Sequence, residues 1–231
     1  MAWQQQQVFL TGGTGYMGKQ LAKELIGRGH RVRILARAGS EAKAPSGSEL
    51  VPGDALRAES YASHVAPADT FVHLVGVSHP NPKKAAEFRA IDLKSCEEAV
   101  NAAAGARVRH FIYLSVARPA PVMQEYQAVR AEGERLIQQK GLAATFVRPW
   151  YVLGPGHRWP TLLIPLYAFA RLYPPTREGA ERLALVTLDQ MTRTLVWAVE
   201  NPTDDIRILE PKHIRSGFGE PAIARRRAAS A

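Results

Sequence analysis

The stretch Thr11-Gly12-Gly13-Thr14-Gly15-Tyr16-Met17-Gly18 constrains this chain more than any other. It follows the apolar run Val8-Phe9-Leu10 and precedes a segment with Met17, Leu21 and Leu25 at four-residue spacing, so it reads as strand, glycine turn, helix. Gly12, Gly15 and Gly18 recur every third residue. That spacing lets the backbone turn sharply, approach a pyrophosphate with no side chain between, and pack the new helix closely on its strand. The N–H groups and positive dipole end of that helix then face the phosphates. Gly12, Thr14, Gly15, Tyr16, Met17 and Gly18 are the expected contacts; the alternative is a plain glycine-rich turn.

Further apolar strands alternate with helical segments at βαβ spacing. Strands are expected at 8–10, 31–35, weakly at 50–51, and at 70–75, 110–114, 144–147 and 207–209, with helices at 17–28, 55–65, 82–104, 124–140, within 161–172, and at 188–200. The pattern predicts a Rossmann-like doubly wound α/β fold, a parallel sheet with helices on both faces. No linker divides the chain, so residues 1–215 read as one domain, with substrate-side segments mainly at 150–190 and a mobile basic tail at 216–231. The apolar run in 161–172 is too short to span a bilayer and contains Pro165; it reads equally as a core helix or as the wall of an apolar pocket.

The formal charge of +9 raises the question of an acidic partner. The last sixteen residues contribute three arginines against one glutamate. Elsewhere charges alternate along helices, as in Arg130-Ala131-Glu132-Gly133-Glu134-Arg135, the pattern of a solvated face. No interleaving of aromatic and basic residues supports nucleic-acid binding. The lone Cys96 rules out an internal disulfide and reads as a passive helix residue, the start resembles no secretory signal, and the expected location is cytoplasmic. The histidines group with no cysteine or carboxylate, so no metal is expected.

Strand two ends at Ala36-Arg37, where an acidic residue would accept from the ribose hydroxyls of NAD and an arginine instead matches the 2′-phosphate of NADP. NADP(H) is therefore expected over NAD(H), with Ser40 and Lys43 nearby in the same loop. Asp54, followed by Ala55, either caps the next helix or accepts from the adenine amino group. Gly76, followed by Val77, stands where a side chain would obstruct the cofactor.

Together the glycine loop, Gly53-Asp54, Phe111 to Val116, Tyr126-x-x-x-Arg130, Arg148-Pro149 through Gly156, and Val186-x-x-x-Asp189 resemble an extended or atypical short-chain dehydrogenase/reductase. The similarity lies near the NmrA-like and epimerase-like branches and covers most of residues 8–215. In such enzymes a tyrosine and a lysine four residues later share one helix face, near a serine ending strand five. The lysine favours the tyrosine's charged form and holds the nicotinamide ribose, while the serine orients the substrate oxygen. Ser115 and Tyr126 match, and Arg130 replaces the lysine, bringing positive charge with a bulkier, rigid fork. Asp92 is offered as its partner. Pro149, Trp150 and Tyr151 fall in the loop expected beside the nicotinamide, followed by His157, Arg158 and Trp159.

The resemblance implies NADP(H)-dependent reduction of a small, carbonyl-type organic substrate, apolar if the 161–172 run walls its pocket, with Tyr126 as proton donor, Ser115 as orienting donor and Arg130 as electrostatic partner. Two other readings stand beside it: a non-catalytic NADP(H)-binding sensor or assembly factor, and, less favoured, a sugar-nucleotide epimerase or dehydratase. The sequence leaves the oligomeric state open.

Overall fold

A computed structural model describes residues 4–155, 179 and 181–217. The expected helix within 161–172, the loop residues Gly156 to Trp159 and the tail beyond 217 lie outside them.

Seven parallel strands form the sheet: β1 (Gln7–Thr11), β2 (Arg31–Ala36), β3 (Glu49–Pro52), β4 (Thr70–His73), β5 (His110–Leu114), β6 (Ala144–Val147) and β9 (Ile206–Leu209). Their order is β3-β2-β1-β4-β5-β6-β9, so the direction of winding reverses between β1 and β4. In open α/β sheets of this kind the crevice beyond the strand ends at that switch point receives the ligand. A second, two-stranded parallel pair joins β7 (Val152–Leu153) to β8 (Val186–Thr187), and was not anticipated.

Strand alternation divides the core in two. Val8, Leu10, Val72, Ile112 and Val147 face Leu21 and Leu25 of α1 (Tyr16–Gly27) and Met191 and Leu195 of α5 (Leu188–Glu200). Phe9, Phe71, Phe111 and Phe146 take the opposite face, against Ala99 and Ala103 of α3 (Lys94–Gly105) and Ile137 of α4 (Gln124–Gln139). Neighbouring rings touch across the strands, with Phe9 to Phe71 and Phe71 to Phe111 each 5.2 Å between centroids. Burying each such ring contributes about 2–3 kcal/mol, so both faces of the sheet are firmly covered before any site residue is considered.

Two expected helices are corrected. Residues 55–65 form 3₁₀ turns at Ala58–Ser60 and Ala62–His64 rather than an α-helix. Ser60 Oγ donates to the Arg57 carbonyl (2.7 Å) and accepts from the Asp54 N–H (2.9 Å), a local closure that competes with helical pairing. Residues 82–104 are not one uniform helix: a 3₁₀ turn (Pro82–Lys84) and α2 (Ala85–Glu87) lead into a π-helical segment, Phe88–Leu93, before α3. The wide turn carries Asp92 into the interior. A short α6 (Pro211–Arg215) closes the described chain.

Candidate active site

The glycine turn joins β1 to α1 at the switch point. Gly12 has φ +79°, and a Cβ there would press on the Leu74 backbone; one on Gly18 would overlap the Gly12 carbonyl. These two glycines are required by the chain's own packing. Gly15 differs: it is exposed, precedes α1 as its N-cap, and has only the Gly12 oxygen near its hypothetical Cβ, at 3.1 Å. No side chain caps α1. An uncapped helix start behind a turn that keeps its outer side open fits a pyrophosphate.

Arg37 is exposed just past β2 and has no ion-pair partner among the described residues. Asp54 accepts the Leu56 N–H at 3.0 Å and lies 3.6 Å from Arg57, so its carboxylate closes a local turn, and the helix it was expected to cap is absent. Gly76 carries a constraint from within the protein as well. A Cβ there would overlap the Arg130 guanidinium and approach Asp92 Oδ1 at 3.1 Å, so the obstruction is internal. The Val77 N–H donates to Asp92 Oδ2 at 2.9 Å.

Beyond the ends of β1, β4, β5 and β6 lies a cavity of about 490 Å³. Met17 of the glycine turn, Leu114 to Val116 after β5, Met123 and Tyr126 at the start of α4, and Pro149 to Val152 after β6 form its walls, with His79 to Asn81 from the loop after β4. No described lining residue is an aspartate, glutamate, lysine or arginine. His79 and Met123 both have positive φ, +50° and +62°. Backbone held in that region by non-glycine residues is characteristic of binding sites. Gln127 fixes the approach to α4, its side chain bonding both the N–H and carbonyl of Ala120 at 2.9 and 3.0 Å and the Val122 carbonyl at 2.6 Å.

The structure thus brings Met17, Ser115, Tyr126, Pro149, Trp150 and Tyr151 to one cavity and sets Arg130 beneath it. Arg130 is 2% exposed. Its Nη2 donates to Asp92 Oδ1 at 2.6 Å and to the Val75 carbonyl at 3.3 Å, and its Nη1 donates to the Leu114 carbonyl at 2.9 Å. The guanidinium carbon stands 5.2 Å from the Tyr126 ring centroid and 5.7 Å from that of Tyr113. Burial opposes the charge on Arg130, but the surrounding tyrosines and Asp92 outweigh it and keep the group cationic. The Asp92 pairing is as offered from the sequence. The solvated face assigned to the charges of α4 is not: Arg130 and Glu134 are both buried.

Glu134 and Arg148 were not recognised as site residues. Glu134 accepts from Ser115 Oγ at 2.6 Å, from Arg148 Nε at 2.8 Å and Nη2 at 2.6 Å, and from Arg118. Burial raises its carboxyl, while bonds from Arg148 and Ser115 and the charges of Arg148 and Arg118 bring it below its ordinary value. A signal existed: Glu134 shares its helical stripe with Tyr126, Arg130 and the buried Val129, Gly133 and Ile137. Among the described residues no group of three or more histidines, cysteines or carboxylates could hold a metal, and no helix is long and apolar enough to cross a membrane.

An all-parallel sheet with a glycine turn and a cavity at its switch point defines a dinucleotide-binding protein of the Rossmann type. Residues 12–157 match the NAD(P)H-binding family, and the chain belongs to it. It is 26% identical over 201 residues to a ceramide reductase from Caulobacter vibrioides, covering 84% of this chain and 61% of that protein. It is also 26% identical over 145 residues to the photosystem II assembly factor Ycf39 of Cyanophora paradoxa, covering 61% of this chain and 44% of the other. The chain therefore spans between 44% and 61% of these relatives' length. Among solved structures, the Bordetella bronchiseptica enzyme WbmH, determined with NAD⁺, superposes with a TM-score of 0.66 at 19% identity, covering 89% of this chain and 75% of that one. That likeness carries the fold.

Proposed function

We propose that this protein is an NADP(H)-dependent oxidoreductase acting on an uncharged, largely apolar carbonyl compound or the corresponding alcohol. The cavity carries the proposal: it sets Tyr126 and Ser115 against the glycine turn, with no Asp, Glu, Lys or Arg among its described walls. The glycine loop would hold the pyrophosphate, Arg37 the 2′-phosphate, the backbone around Asp54, Ala55, Gly76 and Val77 the adenosine side, and Pro149, Trp150 and Tyr151 the nicotinamide side. When bound, that cofactor supplies or takes up the hydride. Tyr126 gives the substrate oxygen its proton, and the fixed cation 5.2 Å behind its ring favours the negative charge left on the phenol. Trp150 and Tyr151, edge to face at 5.3 Å, exclude water from one wall.

The ceramide reductase shares the reduction chemistry, whereas the absence of charge along the described walls disfavours a sugar nucleotide, whose diphosphate calls for cations. A second reading rests on Arg130. Its terminal nitrogens are engaged by Asp92 and two carbonyls, so it holds no ribose as a lysine would, and a cofactor-binding sensor or assembly factor can dispense with that contact.

Oxidation of NADPH by a panel of aliphatic and aromatic ketones, followed in the parent and in Tyr126→Phe, separates the two. Loss of turnover by about 10²–10⁴-fold with NADPH affinity retained is the expected result. Turnover unchanged in Tyr126→Phe overturns the proton donor, and a parent that binds NADPH but turns over nothing favours the sensor. In calorimetry NADPH is expected to bind more tightly than NADH by about 1–3 kcal/mol, a gap that Arg37→Ala should close.

A further inference from the structure

Ser115 lines the cavity and is 2% exposed. A serine hydroxyl has one proton and two lone pairs. The partner of that proton is fixed by charge. Glu134 Oε1, 2.6 Å away, belongs to a carboxylate that Arg148 and Arg118 keep ionised, and an ionised carboxylate only accepts. The bond therefore runs from Ser115 to Glu134. What Ser115 can offer the cavity is lone pairs.

On this basis, and resting on the oxidoreductase reading above, we propose that Glu134 is a positioning residue that turns Ser115 into a hydrogen-bond acceptor, so that the cavity selects the hydroxyl form of its substrate over the carbonyl form. A carbonyl oxygen facing Ser115 would meet lone pair with lone pair. A hydroxyl can donate to Ser115 while its oxygen accepts from Tyr126, satisfying both groups at once. The cavity thus holds the alcohol of the redox pair more tightly than the ketone, and the network behind it sets that preference. Arg148 is itself bonded to Glu210 at 2.9 Å, so the carboxylate cannot draw Arg148 along with it without breaking a second ion pair. No described lining residue is acidic, which leaves this buried group, one bond behind the wall, to decide the polarity of the serine.

The probes are benzophenone and benzhydrol, an uncharged apolar pair differing by the two hydrogens in question. Their affinities are measured by ligand-observed NMR on the cofactor-free protein, in which neither compound can react, and Tyr126-dependence of the signal confirms the cavity as the place of binding. Benzhydrol is expected to bind about three- to tenfold more tightly, the size of one neutral hydrogen bond. Ser115→Ala should abolish the preference. Glu134→Gln, in which an amide N–H can donate to the serine and release its proton, should narrow or invert it, while a merely structural role for Glu134 would weaken both ligands alike. Equal affinities in the parent, tighter binding of benzophenone, a preference that survives Ser115→Ala, or no binding of either compound to a protein that binds NADPH each overturn the proposal. Failure to bind NADPH would instead strike the oxidoreductase reading on which it rests.

Discussion

Arg130 and Glu134 sit one turn apart on the same face of α4, and the protein buries them in opposite ways. Around Arg130 the two terminal nitrogens are closed in by one carboxylate and two backbone carbonyls, and two aromatic rings flank the guanidinium, with Asp92 wholly buried. Around Glu134 the charges form an open chain, since Arg118 is about one-third exposed and Arg148 passes on to Glu210. The first arrangement ties the ends of β4 and β5 to α4 and the π-helical turn, and can change only by breaking. The second has a hydroxyl at one end and water at the other, so it can exchange partners. A stiff floor and an adjustable wall therefore flank Tyr126 and Ser115.

Replacing Arg130 should distinguish the two regions most sharply. Arg130→Met strands Asp92 as an unpaired buried carboxylate, and the expected loss is about 3–5 kcal/mol in urea unfolding. Arg130→Lys retains a charge but not the fork that serves Asp92, Val75 and Leu114 together, and should fall between Met and the parent. If Met costs under 1 kcal/mol, the closed cluster is not a brace. Glu134→Gln should cost less, about 1–3 kcal/mol, because Arg148 retains Glu210 and Arg118 reaches solvent; a loss equal to that of Arg130→Met would erase the distinction.

Acid should reach the closed region first. His73 lies in its neighbourhood, bonded to Thr11 Oγ1 at 2.8 Å; burial and then the charge of Arg130 lower its pKa from 6.5 to about 3. The folded state therefore refuses a proton that the unfolded chain accepts. Stability present above pH 6.5 falls as the pH drops towards 3, by about 1.4 kcal/mol per unit for one histidine. His110, lowered to about 4, adds the same slope until that pH is reached. Glu134 works the other way round in identity but not in sign: its contribution is full above the ordinary 4.5 and fades only as the pH falls through its lower folded value. Unfolding curves between pH 7 and 5 should thus show a slope that His73→Asn lowers and Glu134→Gln leaves unchanged. A slope that follows Glu134 would assign the acid response to the wrong region.

The strands and the glycine turn were legible in the sequence because burial on both faces of a parallel sheet demands continuous apolar runs, and β5 and β6 match the expected residues. The 55–65 segment misled because apolar spacing resembled a helix while Ser60 and Asp54 closed local turns instead. A π turn has no signature in a 3.6-residue period, so the inward aim of Asp92 was only a suggestion. In the site, Tyr126, Ser115, Pro149, Trp150 and Tyr151 were named from the family resemblance, and the structure gathers them around one cavity. The charges of α4 were misplaced, because alternating sign was read as exposure when the position on the helix, in line with Val129, Gly133 and Ile137, already marked Arg130 and Glu134 as inward.

Gly76 leaves room for Arg130, and so makes two distant choices in this chain a single one. With the arginine present, any larger residue at 76 is excluded; with a shorter side chain at 130, the same residue becomes tolerable and a void opens where the guanidinium was. Exchange at either position is thus contingent on the other. A lineage that has acquired the arginine cannot drift at residue 76 until it gives the arginine up, and one that has first filled residue 76 has closed the route to it.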